Sequence, residues 1–401
     1  MEIVTENKKF NEFIYYWATF ILVLLSFVYK NERLLLYSFE VIYILLIGIK
    51  IIKEKKRLGI YAFWSAGFFF ICLLSSLYAV DQHVAFNQSI NVVKALLIGF
   101  SIVIFSGDRK KLNFVLYSIL ISAGYLTILL ILSTPTNVWG TQRLGESVGL
   151  NSNDLGVKMA ISSLIAVYFG KEKKKIYFYV LAIICLSITI LSGSRKALVL
   201  IIVGLFFLFT ITVEKRKRII AGIPILMGLV YLLWDLIMTV PEFYNVIGIR
   251  MILMINGFLG QGYVDSSTLV RIDMIEQGMQ LFKERPIFGY GIANFSVLST
   301  YATYSHNNYV ELLVGVGIVG ALFYYCLYFG LVVKLVRFIK IDKQAGLFIS
   351  LILGLAIMEY GLVTYYIEIY QIIIACAYSV LVIIKESRKD SLFTQLSHLE
   401  N

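Results

Sequence analysis

His306 closes the chain's only long polar stretch, in Ser305-His306-Asn307-Asn308, and it is one of three histidines among 401 residues. An imidazole can take or give a proton near neutral pH, so its place just ahead of an apolar run points to proton transfer at a membrane surface. Cations gather in the polar segments around it: Arg143, Arg195, Lys196, Arg250, Arg271, Lys283 and Arg285. Guanidinium groups bind phosphate oxygens bidentately. Fixed cations stabilise the charge that builds on a diphosphate leaving group. A histidine beside them can deprotonate or orient an attacking hydroxyl, a contribution of about 10²- to 10⁴-fold.

Each residue also has an ordinary structural reading. Arg195 lies in Leu191-Ser192-Gly193-Ser194-Arg195-Lys196, between two apolar runs. It is either an interfacial arginine of a tight turn or a ligand for an anion that the small residues beside it admit. Arg271 opens an amphipathic helix with apolar residues at 269, 272, 275, 279 and 282, ended by Pro286. A cation near a helix start opposes the macrodipole, so Arg271 either pairs with Asp273 or Glu276 or meets a bound anion. Arg143 and Asn153 sit in a loop rich in Gly and Asn, Arg143-Leu144-Gly145 followed by Gly149-Leu150-Asn151-Ser152-Asn153-Asp154-Leu155-Gly156. That loop can wrap a polar ligand, or Asn153 can cap the next helix. Trp139 either stacks on a sugar or belongs to an interfacial belt. No metal-ligand spacing links Asp265, Asp273 and Glu276, and a metal is not expected.

These residues need a frame. The chain is 59% hydrophobic with a mean hydropathy of +0.82, and the excess falls in runs of about twenty residues, the length that crosses a bilayer. The reading is an all-α polytopic membrane bundle of about twelve spans: 13–29, 34–52, 58–80, 92–106, 112–133, 154–169, 176–192, 197–213, 219–239, 309–334, 345–366 and 368–384. It divides the chain into helices 1–5 (1–133), helices 6–9 with arginine-bearing loops (134–239), one large loop (240–308) and the C-terminal helices with a tail (309–401). Lysine-rich clusters alternate with the spans and place both termini in the cytoplasm. The segments 81–91, 134–153, 193–196 and 240–308 then lie outside. The net charge of +11 belongs to these clusters and not to nucleic-acid binding. The four cysteines fall in apolar runs, without a disulfide or metal pattern. The cytoplasmic connections leave no room for a nucleotide-binding domain.

The chain resembles the O-antigen ligase and polymerase family of bacterial membrane glycosyltransferases. Four segments carry the likeness: Arg143 with Gly149 to Gly156, Leu191-Ser192-Gly193-Ser194-Arg195, Arg271 with Pro286-Ile287-Phe288-Gly289-Tyr290-Gly291, and His306-Asn307 with Gly317 eleven residues after the histidine. The resemblance implies a fold of the C-type glycosyltransferase kind in the bacterial cytoplasmic membrane, with the site on its outer face. It implies glycan transfer from an undecaprenyl diphosphate carrier, inverting, without metal or cofactor. By position, His306, Arg195 and Arg271 are the catalytic residues, and Arg143, Asn153 and Asn307 bind substrate. A flippase and a chain-length regulator are the implied protein partners.

Polymerase and ligase differ in acceptor. A composition rich in Ile, Lys, Asn, Phe and Tyr leans the reading towards a capsule or exopolysaccharide polymerase. A flippase for the same lipid is the reading from another class. It requires charges along a central path and internal repeats, and no repeat is evident.

Overall fold

The computed structural model describes residues 2–28, 33–54, 59–211, 216–259 and 266–399. Lys55 to Arg57, Lys215 and Asp265 lie outside the described residues. Every regular element among them is helical. In order these are α1 (Glu2–Val28), α2 (Arg33–Glu54), α3 (Ile60–Leu77), α4 (Gln82–Phe105), α5 (Arg109–Ser133), α6 (Ser152–Lys173), α7 (Ile176–Leu191), α8 (Arg195–Ile211), α9 (Arg216–Thr239), α10 (Pro241–Phe243), α11 (Ile249–Phe258), α12 (Ser266–Glu284), α13 (Phe295–Leu298), α14 (Asn308–Phe338), α15 (Lys343–Met358) and α16 (Glu368–Leu399). A π-helical turn, Tyr244–Gly248, joins α10 to α11.

Helix starts follow from local chemistry. Asp81, Asp108 and Asp342 each accept a hydrogen bond from a backbone N–H of the first turn of α4, α5 and α15. One apolar core then runs from Ala18 in α1 to Ile384 in α16. The outer faces are apolar too: Leu34 is 85% exposed and Phe329 74%. Such faces would drive association in water, whereas a bilayer solvates them.

Among the described residues seven helices are long and apolar enough to cross a membrane, or eight if the bent pair Val230–Thr239 and Pro241–Asn256 is one span. This is fewer than the twelve expected, and the reasons are local. The apolar parts of α1 and α7 are short, and α8 has 17 residues. α6 carries Asp154, Lys158, Lys171 and Lys173. α9 turns through 93° into Pro241–Asn256, because Pro241 at a helix start fixes the break. The segment 240–256, expected as loop, is therefore an apolar helical arm. The connection expected at 81–91 is likewise helical, forming the first turns of α4.

The connections gather at two ends of the bundle. At one end an ion pair joins Arg109 to Asp342, and Lys111 meets Glu12 at 3.0 Å. At the other, Leu144 N donates to Leu191 O at 3.1 Å and Val80 N to Tyr290 O at 3.2 Å. Charges inside the bundle are absorbed by packing. Lys94 lies 3.3 Å from Glu368 and 3.8 Å from Glu40. Lys158 pairs with Asp154 at 2.9 Å and donates to Phe27 O at 2.8 Å. Tyr325 OH donates to Glu359 at 2.8 Å, and Thr364 Oγ1 donates to the same carboxylate.

Candidate active site

The site is built where α14 breaks. Gly317 has φ +66° and ψ −171°, which interrupts the helix and frees backbone groups on both sides of it. The segment 286–291 lies along the break and takes them up. Tyr290 N donates to Val314 O at 2.8 Å and Gly291 N to Gly315 O at 2.9 Å, while Ile318 N donates to Pro286 O at 2.8 Å. A Cβ at Gly317 would stand 2.2 Å from Ile287 O, so only glycine fits. This pairing meets the rule that backbone polar groups buried at membrane depth must find partners. It also explains the spacing of the Pro286-to-Gly291 segment and Gly317. Asn294, fully buried, anchors the following turn by accepting from Asp81 N at 2.7 Å.

The same loop leads to His306. Glu311 in the first turn of α14 accepts from Ser305 N at 2.8 Å, and Ser305 Oγ donates to Asn307 O at 2.9 Å. His306 takes φ +55°, an uncommon conformation for a residue other than glycine, between these fixed neighbours. Its ring lies 4.3 Å from that of Tyr304, centroid to centroid. Asn307 is the helix cap: its Oδ1 accepts from Tyr309 N and Val310 N at 3.0 and 3.1 Å. The carboxamide oxygen expected to meet substrate is therefore engaged by α14.

Arg271 reaches the site because α12 crosses α14 closely. Gly278 lies at the crossing, where a Cβ would stand 2.2 Å from Val310 Cγ1. Met274, Phe295 and Val314 pack around it. The Asp273 carboxylate accepts from Gln277 at 2.8 Å and Tyr301 at 2.5 Å, which pins the loop before His306 to α12.

Arg195 heads α8, after a turn stapled on both sides. Gly193, at φ +62°, presses against Arg143, since a Cβ there would lie 2.9 Å from Arg143 Cγ. Arg143 Nε donates to Ser192 O at 2.9 Å, and its Nη2 to Asn153 Oδ1 at 3.0 Å. Asn153 is free to do this because Asn151, not Asn153, caps α6. Arg250 on α11 donates to Gly193 O, and Arg195 donates to Arg250 O and to Thr268 Oγ1 on α12, at 3.3 to 3.4 Å.

Charge repulsion shows how closely the cations gather. Burial first, then Arg250, Arg271 and Arg195, lowers the Arg143 pKa to about 10. Lys196, at the start of α8 and ahead of its apolar run, falls to about 7 through burial and then Arg271, Arg195 and Arg143. His306 falls to about 4, by burial and then the charges of Lys196 and Arg271. Arg143, Asn153, Arg195, Arg271 and His306 thus meet in one place. Arg250 and Lys196 join them, although the sequence marks them only as two of several cations outside the basic clusters. Lys196 lies against the turn at Gly361, where a Cβ would stand 3.0 Å from its Cε.

Arg285 stays apart, 4.6 Å over the Tyr290 ring, and Trp139 donates to Thr134 O at 3.4 Å. Among the described residues no group of three or more His, Cys, Asp or Glu is placed to hold a metal ion. Confined positive charge of this density is costly without an anion. A diphosphate, with several oxygens for bidentate guanidinium contacts, suits it, and a neutral imidazole beside it can accept a hydroxyl proton.

Residues 180–325 match a family model described as O-antigen ligase. The matched stretch holds Arg195, Arg250, Arg271, His306 and Gly317, while Arg143 and Asn153 precede it. Comparison with curated proteins returns no match. Together with the apolar helices, this match makes the stretch 180–325 similar to the O-antigen ligase family and supports a multi-pass membrane protein.

Proposed function

We propose that the protein polymerises oligosaccharide repeat units carried on undecaprenyl diphosphate, as for a capsule, an exopolysaccharide or an O-antigen. The reaction takes place at the outer face of a bacterial cytoplasmic membrane, with both termini in the cytoplasm. The observation that supports this most is the convergence of Arg143, Arg195, Arg250, Arg271 and Lys196 beside His306. In this reading the cations hold the diphosphate of the growing chain. An acceptor hydroxyl attacks the anomeric carbon as the carbon–oxygen bond to phosphate breaks, and the bonding electrons leave with the diphosphate. His306 takes the hydroxyl proton and later releases it to solvent. A single displacement of this kind inverts the anomeric centre and needs no metal. A flippase that supplies the donor and a chain-length regulator are the proposed protein partners.

The description of the matched family model favours a second acceptor, a molecule other than a lipid-linked repeat, as in a ligase. A flippase fits less well, since Lys94, Lys158 and Glu359 are occupied by neighbouring groups within the bundle.

Purified protein in detergent, given lipid-linked repeat units alone, should yield longer lipid-linked glycans and undecaprenyl diphosphate. No elongation, together with transfer to an added foreign acceptor, would replace the polymerase by the ligase. Neither product, with lipid scrambling in vesicles, would support the flippase.

A further inference from the structure

A cavity of about 380 Å³ is lined by Tyr304, whose ring contacts that of His306. It falls within the usual range of small-molecule sites, about 300–1,000 Å³. Its lining differs in kind from the arginine cluster. Asn87, Gln88 and Asn91 of α4 face Tyr304, Tyr366 and Glu311, and Glu311 is the only charged residue in the lining. A lining with no cation disfavours a diphosphate and suits a neutral ligand.

The carboxamides stand on the first turns of α4, ahead of its apolar run. Their protein contacts are few. Gln88 Nε2 donates to Tyr365 OH at 2.9 Å, Asn91 Nδ2 to Gln88 Oε1 at 3.2 Å, and Asn87 Nδ2 lies 3.1 Å from His83 Nδ1. Asn87 and Asn91 thereby retain donors and acceptors, the pairing that adjacent sugar hydroxyls require. Tyrosine rings offer apolar faces for the sugar's C–H groups.

The cavity is tied to the histidine twice. Tyr304 in its wall contacts the His306 ring, and Glu311 in its wall holds Ser305 N, one residue before the histidine. His306 in turn feels the charges of Lys196 and Arg271. We infer that this cavity is a saccharide subsite that seats the acceptor's terminal sugar, with His306 between it and the diphosphate site. The inference rests on the glycosyl-transfer reading above.

Two probes separate the sites. One is the lipid-free oligosaccharide released by mild acid from the producing strain's lipid-linked repeat units. The other is undecaprenyl diphosphate bearing no sugar. Binding of each is measured to protein in nanodiscs. Asn87→Leu/Asn91→Leu should weaken the oligosaccharide by about tenfold or more, as expected for two lost hydrogen bonds, and leave undecaprenyl diphosphate within about twofold. Retained diphosphate binding also reports an intact fold, and Tyr304→Ala should repeat the pattern. Arg195→Ala should do the reverse. Oligosaccharide binding that is absent in the wild type, unchanged in both α4 and Tyr304 variants, or lost in step with diphosphate binding overturns the subsite. If the oligosaccharide binds as expected but the wild type transfers no glycan, the subsite stands and the proposed reaction falls.

Discussion

His306 and Lys196 make pH dependence a direct probe of the site. His306, at about 4, is neutral across the physiological range, while Lys196, at about 7, loses its proton within it. In the proposed reaction the free enzyme needs a neutral imidazole and a charged ammonium. Its kcat/KM should therefore rise as pH climbs through the histidine's value, then fall by about tenfold per unit above the lysine's. Bound diphosphate opposes both downward shifts, because a negative charge favours the protonated form of each neighbour. At a separation of about 6 Å and an effective dielectric of about 20, one negative charge contributes roughly 3 kcal/mol, on the order of two pKa units. Both limbs of kcat, which reports the donor complex, should lie higher than those of kcat/KM by about that much. Donor binding thus makes His306 a better base when its proton acceptance is required. Initial rates at low and saturating donor give the two profiles. The histidine Cε1–H resonance, assigned with His306→Ala, gives the titration with and without undecaprenyl diphosphate. Lys196→Arg should abolish the alkaline limb, since a guanidinium stays charged. A His306 titration indifferent to undecaprenyl diphosphate, or an alkaline limb that persists in Lys196→Arg, would refute the reasoning.

Arg195→Ala and Arg271→Ala should each lower the rate by about 10²- to 10³-fold, and His306→Ala by up to about 10⁴-fold, at normal protein levels. Normal polymer length in all three would remove the site. Gly317→Ala combines φ +66° with a Cβ 2.2 Å from Ile287 O. It should cost about 1–3 kcal/mol from backbone conformation alone, and more from the clash, read as a lower midpoint of thermal unfolding in detergent. Gly193→Ala meets Arg143 Cγ at 2.9 Å and Val246 O at 3.0 Å, so donor affinity should fall more than stability. Asn307→Ala should lose about 1 kcal/mol of capping, while Asn307→Asp keeps the cap. If Asn307→Asp is stable yet inactive, the side-chain nitrogen has a role beyond the helix.

What the sequence shows of this site is its chemistry, and what it hides is distance. Cations outside the lysine-rich clusters are visible as anomalies, and Arg143, Arg195 and Arg271 do converge. Arg250 and Lys196 are equally visible but indistinguishable from Lys283 and Arg285, because membership depends on a turn at Gly193 touching α11. Asn151 and Asn153 are both plausible caps, and only the backbone of the first turn decides between them. The start of α4 is missed because Gln82 to Asn91 lacks an apolar run, although Asp81 carries the capping chemistry. The bend after α9 is hidden for a related reason: hydropathy is the same whether an apolar segment crosses a bilayer or turns through 93°.

Gly317 shows how a loose sequence pattern can fix the position of His306. A base at a membrane interface must be held firmly, yet the nitrogen that accepts a proton must be left for the reaction. Here the holding is transferred to the backbone. The break at Gly317 exposes Val314 O and Gly315 O, and only a chain passing close by can satisfy them, which requires a glycine at 289, where a Cβ would stand 2.4 Å from Val314 O. The turn after that chain is fixed to Asp81 through Asn294. The last residues before His306 are fixed through Glu311 and Ser305. The loop is thereby bound to α14 both at the break and at the helix's first turn, and the His306 side chain carries none of these bonds. The eleven-residue interval from His306 to Gly317 takes in both attachments, the cap at Asn307 and first turn with Glu311, and the break itself. An insertion of one residue between positions 311 and 317 would rotate the break by about 100° relative to His306, and should abolish transfer even with every charged residue in place.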